Sequence, residues 1–151
     1  MTHRILKVKE GFHYARTEVS FESSLQQIRA LLNKHGCSRI AEMSDNRGER
    51  PIHTLAWEKD GIPFMVEFPV TYTASGKLNM AISGRIVFNR IKSMLIEVEI
   101  DLWSFVQAMS PFLALPGRDG KPEPMYEYVE EHRAELTSHT QIFPQLEGRK
   151  A

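Results

Sequence analysis

The chain contains one cysteine, Cys37, among 151 residues. A lone thiol excludes an internal disulfide framework and a cysteine zinc cluster, and it suits a reducing compartment. Long apolar runs are also missing. No window approaches the roughly 20 apolar residues of a membrane span. The opening MTHRILKVKE has no apolar core of the kind that marks a secretory signal. These absences predict a cytoplasmic protein with no membrane partner. Net charge is absent too, with 19 Lys and Arg against 19 Asp and Glu. That balance argues against bulk attraction to nucleic acid and leaves room for a local basic patch. There is no internal repeat and no low-complexity segment.

Catalytic signatures are missing as well. There is no GxSxG elbow. Cys37 has no activating neighbour and reads as a small core residue. The six histidines (His3, His13, His35, His53, His132, His139) make no HExxH and no ligand pair, so neither a metal nor a cofactor is expected. Asp45, Glu58, Lys59 and Glu67 lie around the hairpins without forming a nuclease pattern. In Gly117-Arg-Asp-Gly120-Lys121 two residues separate the glycines and Pro122 follows the lysine. A Walker loop needs four residues there and then a Ser or Thr. A KH loop needs a different strand order, so this segment reads as a turn. Enzyme chemistry is not expected.

What the chain does have is a core. With 42% hydrophobic residues it can bury about 68–70% of its unfolded surface, as chains of this size do. One domain over 1–146 with a tail at 147–151 is predicted. A short strand is expected around 13–19 from its aromatic and β-branched residues. Ser20 reads as an N-cap. Phe21, Leu25, Ile28 and Leu32 then share one helical face, and His35-Gly36 ends it. Strands are expected over Cys37–Met43, Ile52–Glu58 and Ile62–Phe68. The last two join through Asp60-Gly61, a hairpin pair. Residues 71–84 read as a loop. From Arg85 to Leu113 apolar residues recur at intervals of three and four, predicting a long second helix. Within it, Ile96 to Leu102 also alternates with period two, as a strand would. Pro111 ends or kinks the helix, 115–124 is a loop, and Met125–Leu136 is a short acidic helix. The fold predicted is α+β: a three- to four-stranded antiparallel meander in a single domain. The N-terminal helix and the long second helix pack on one face, with a short helix at the C-terminus.

Charge is uneven along the chain. Residues 1–92 hold 14 Lys and Arg against 9 Asp and Glu, whereas residues 93–148 hold 3 against 10. Arg39, Arg47, Arg50, Lys59, Lys77, Arg85, Arg90 and Lys92 flank the sheet and the start of the second helix, with Trp57 and Tyr72 among them. Basic groups interleaved with aromatics suit phosphate contact and base stacking. The first expectation is therefore a DNA- or RNA-binding accessory protein without enzymatic activity. The alternative is a protein–protein interaction module or a structural protein. Ile96, Ile100 and Trp103 of the long helix would then form a homodimer or partner interface.

The string Val19-Ser-Phe-Glu-Ser-Ser-Leu-Gln-Gln-Ile-Arg-Ala-Leu-Leu-Asn-Lys-His-Gly36 is followed by the 52–68 strands, the long helix and Leu115-Pro-Gly-Arg-Asp-Gly. This combination resembles a family of small bacteriophage and prophage proteins with no established activity. The resemblance spans most of 17–146. It implies a mobile-element setting and assigns no functional residue. The order of elements also looks like the core of Rad52-type annealing proteins and like a double-stranded RNA-binding domain. The second helix is too long and too acidic for the latter.

Overall fold

A computed structural model describes residues 4–45, 52–117 and 119–139. Helix α1 (Phe21–Lys34) begins where the sequence places it. The Ser20 hydroxyl accepts the Ser23 amide at 3.1 Å, and Gly36 (φ 78°) supplies the left-handed exit. Its stripe of Leu25, Ile28 and Leu32 is fully buried. Strands β2 (Ser38–Asp45), β3 (Ile52–Lys59) and β4 (Ile62–Glu67) form the antiparallel meander β2-β3-β4. Asp60 (φ 52°) and Gly61 (φ 78°) make the two-residue turn that a right-twisted hairpin favours. This turn fixes a register that sets Trp57 opposite Phe64 and Leu55 opposite Val66. Those four side chains share the core face, and β2 is the exposed edge.

Helix α2 (Met80–Glu99) packs beside α1 on that face, and the two run parallel. Near their N-termini a Cβ built on Gly84 would stand 2.9 Å from the Ser24 Cβ. Near their C-termini Lys34 and His35 meet Glu99 at 3.9 and 3.0 Å. Val87, Ile91, Met94 and Leu95 of α2 complete the core with the α1 stripe and the sheet.

Five expectations need correction. Residues 11–16 are successive turns, not a strand. Phe12, Ala15 and Thr17 each donate an amide to a carbonyl three residues back, and no strand pairs with them among the described residues. The strand at this end is β1 (Ile5–Lys7), which pairs parallel with β5 (Val70–Tyr72). The 71–84 loop is shorter than its composition suggests. Tyr72 belongs to β5, and Asn79 caps α2 by accepting the Ala81 amide at 3.1 Å.

The helix expected over 85–113 is also broken. Asp101 is left-handed (φ 58°), and Leu102 and Trp103 turn their amides back to the Glu97 carbonyl. A new helix, α3 (Phe105–Met109), starts from a reciprocal Ser104–Gln107 capping box. A 3-10 turn (Ser110–Phe112) follows and contains Pro111. The C-terminal helix is two pieces, α4 (Met125–Glu131) and α5 (Arg133–His139). The 115–124 loop holds a small hairpin, β6 (Ala114–Pro116) with β7 (Pro122–Pro124). A bridge from Leu113 to Phe64 ties this hairpin to β4. The 147–151 tail lies outside the described residues.

The Ser24–Gly84 approach makes a sharp test. Alanine in an exposed helix interior gains roughly 0.5–1 kcal/mol over glycine. Here the added methyl must push Ser24 and Phe21 aside, which costs roughly 1–3 kcal/mol. Gly84→Ala is therefore expected to lower unfolding free energy by about 1 kcal/mol or more in urea titrations. Ser24→Gly/Gly84→Ala should lose less than the sum of the single variants.

Candidate functional site

Two surfaces compete: the basic set of residues 39–92 and the apolar elbow at the end of α2. The basic set is not one surface. Arg39 sits at a bulge in β2 (φ 51°), with its guanidinium 3.3 Å from the Glu58 carboxylate. Lys59 is half-buried at the end of β3, and its ammonium lies 5.9 Å from the Phe105 ring centre. Both belong to the end of the molecule where α1 terminates. Lys77 lies in the β5–α2 loop at the other end, separated from them by the length of α2, about 30 Å. Arg47 and Arg50 fall outside the described residues.

Arg85 faces α1. Its Nε–H donates to Ser24 Oγ at 3.0 Å, and an Nη2 hydrogen donates to Gln27 Oε1 at 2.5 Å. Its plane lies 4.2 Å from the Phe88 ring centre. Partial burial lowers its pKa from the usual guanidinium value. Arg90 and Lys92 are the exposed cations of α2. Trp57 is 2% exposed, stacked on Phe64 and met edge-on by Phe112. Its ring has no open face for a base, so it belongs to the core and not to a binding surface. Tyr72 is half-buried in β5 between the β1 ladder and a bridge to Leu78.

Other chemistry can be placed too. Asp45 and Glu58 stand at opposite ends of the β2–β3 ladder, about 20 Å apart, so the hairpin carboxylates do not converge. Among the described residues no group of three or more His, Cys, Asp or Glu can hold a metal, and no helix is long and apolar enough to cross a membrane. Burial pushes the Cys37 thiol up to about 11, which leaves it un-ionised and inert. Gly117–Lys121 closes the β6–β7 hairpin, with the Gly117 amide donating to the Lys121 carbonyl at 2.8 Å.

A cleft of about 310 Å³ lies between residues 8–16 and 73–75, with Lys9, Arg16, Thr73 and Ser75 in its walls; none of the expected site residues lines it. A shallower groove of about 270 Å³ includes Arg29 and Arg39, which Glu42 and Glu58 neutralise.

The elbow is different. Ile96 is 46%, Ile100 66% and Trp103 47% exposed, and they are joined by Leu102 at 56% and Val106 at 38%. The backbone brings these residues together because the Ile100 amide donates to the Ile96 carbonyl while Leu102 and Trp103 close on Glu97. A helix unbroken through 113 would place Leu102 on the same apolar stripe as Phe105; the left-handed turn at Asp101 puts Leu102 outside while Phe105 stays in the core. The readable signal was Ser104-Phe-Val-Gln107, a capping-box pattern that restarts the helix.

No protein family, no curated protein and no solved structure matches the chain.

Among the acidic residues of the C-terminal third, Glu127 ties α4 to the N-terminal segment. Glu127 is nearly buried, 3.3 Å from Arg4 Nε. Glu123 is 4% exposed. Burial, then a hydrogen bond with Glu131, raises its pKa above the ordinary carboxyl value. A carboxyl raised in the folded state is most favourable when protonated. Its contribution is full below the unfolded pKa and is lost as pH rises through the folded one. Glu123→Gln should leave the melting temperature near that of the wild type at pH 4. By pH 8 it should raise it by a few degrees. Parallel melting curves across that range check the sign.

Proposed function

We propose that the protein is a protein–protein interaction module whose contact surface is the α2–α3 elbow. The observation that carries this reading is the cluster of Ile96, Ile100, Leu102, Trp103 and Val106, all large and all between 38% and 66% exposed. Together they present on the order of 500 Å² of apolar surface, the scale at which a patch on a monomer marks an interaction site. Single exposed apolar residues need no explanation, whereas five at one bend do. Trp103 has the character of an interface anchor, a rigid aromatic with a polar edge. The rim carries Glu97, Glu99 and Asp101, giving an apolar centre with a polar border.

The second reading is nucleic-acid binding. It is favoured by Lys77, Arg90 and Lys92, exposed cations for which no carboxylate partner is seen among the described residues. It ranks lower because Trp57 and Arg85 are committed to the fold.

A photo-crosslinking residue in place of Ile100 tests the first reading in cells. A protein adduct that survives nuclease and weakens at least several-fold when Trp103→Ala is added is the expected result. No adduct, or one that nuclease removes, would overturn it. Fluorescence anisotropy with labelled single- and double-stranded oligonucleotides tests the second. Phosphate binding would fall steeply between 50 and 200 mM salt and again in R90A/K92A.

A further inference from the structure

Resting on the interaction module just proposed, the elbow also carries information about its partner. The outward stripe of α2 passes through Lys92, Ser93, Ile96 and Ile100 at helical spacing, and all four are exposed. Charge is segregated along this stripe. On the N-terminal side of Ile96 the nearest ionic side chains are Arg90 and Lys92. On the C-terminal side they are Glu97, Glu99 and Asp101. Two such stripes laid parallel would set like charge against like. Laid end for end, each basic half meets an acidic half.

We infer that the partner is a second copy of this chain, with the two α2 helices antiparallel about a two-fold axis at Ile96. A helix rises 1.5 Å per residue. Lys92 therefore lies about 6 Å to one side of the axis and Glu99 about 4.5 Å to the other, on the same flank of the helix. Each Arg90 comes within reach of the other copy's Glu97, and each Lys92 falls beside the other copy's Glu99, whose carboxylate also meets Lys34 and His35 of its own chain at 3.9 and 3.0 Å. Ile96 meets itself at the axis, and Ile100 covers the stem of the opposing Lys92. Trp103 lies past the end of α2 and extends the contact towards the other copy's Phe88 end. The pairing is isologous, so each favourable contact occurs twice. The apolar patch and its ionic flanks approach the roughly 800 Å² per partner of a standard interface.

Sedimentation velocity of the full chain over a concentration series tests this, with circular dichroism confirming that each variant folds. The wild type should move from monomer to dimer mass. R90E/K92E sets acid against acid and should weaken the dimer at least ten-fold. R90E/K92E/E97K reverses the Arg90–Glu97 pair within one chain, leaves Glu99 on its own Lys34 and His35, and should bind at least several-fold more tightly than R90E/K92E. Failure of the reversed variant to recover would overturn the antiparallel pairing. A wild type that stays monomeric at about 100 µM would overturn the second copy as partner. If the Ile100 crosslink to protein then persists, the interaction module stands with a different partner; if it is absent, both readings fall.

Discussion

The stacking of Trp57 on Phe64 is the contact on which the rest of the fold depends. The β3–β4 register sets the two residues opposite each other, with ring centres 6.0 Å apart and planes 12° from parallel. Phe105 meets Phe64 edge-on at 5.5 Å, Phe112 meets Trp57 at 6.1 Å, and Tyr126 meets Phe112 at 6.1 Å. A single aromatic run thus joins the meander to everything that follows α2. Such rings bury roughly 150–250 Å² each and prefer these stacked and edge-on arrangements. The Trp57 indole N–H has no hydrogen-bond partner among the described residues. That costs roughly 1–3 kcal/mol, and the surrounding ring contacts offset it.

Phe105 can join that run only because α2 stops. A continuous helix through 113 would have carried Phe105 along one straight stripe with Leu95 and Val98. The left-handed Asp101 and the Ser104 cap instead fold α3 back under the sheet. The same bend turns Ile100, Leu102 and Trp103 outward. Core closure and surface exposure are thus two results of one turn, and a change that straightened the elbow would disturb both.

Much of this was legible in the sequence. The Ser20 cap, the Leu25–Ile28–Leu32 stripe, the His35-Gly36 exit and the Asp60-Gly61 hairpin are local signals, each carried by a few adjacent residues. They survive because tertiary contacts reinforce them. The end of α2 was less legible, because apolar spacing of three and four runs unbroken through Asp101 and periodicity cannot see a left-handed residue. The basic set failed to assemble for a different reason. Nearness in sequence between Trp57, Arg85 and their neighbours does not say which helix each side chain faces. Arg85 points at Ser24 and Gln27, contacts across some sixty residues that no local pattern encodes. Ile96, Ile100 and Trp103, the expected interface residues of the long helix, are all three on the surface.

The parallel course of α1 and α2 bears on how the chain is made. Helices that run the same way cannot be joined by a tight turn, so the whole meander must lie between them. The contacts that lock them are 61 residues apart at Arg85–Ser24 and 64 apart at His35–Glu99. During synthesis at roughly 5–20 residues per second, α1 leaves the ribosome several seconds before its cover exists. Through that interval Leu25, Ile28 and Leu32 stay wet, and the nascent chain passes through a window in which a chaperone or a neighbouring polysome product can reach them first.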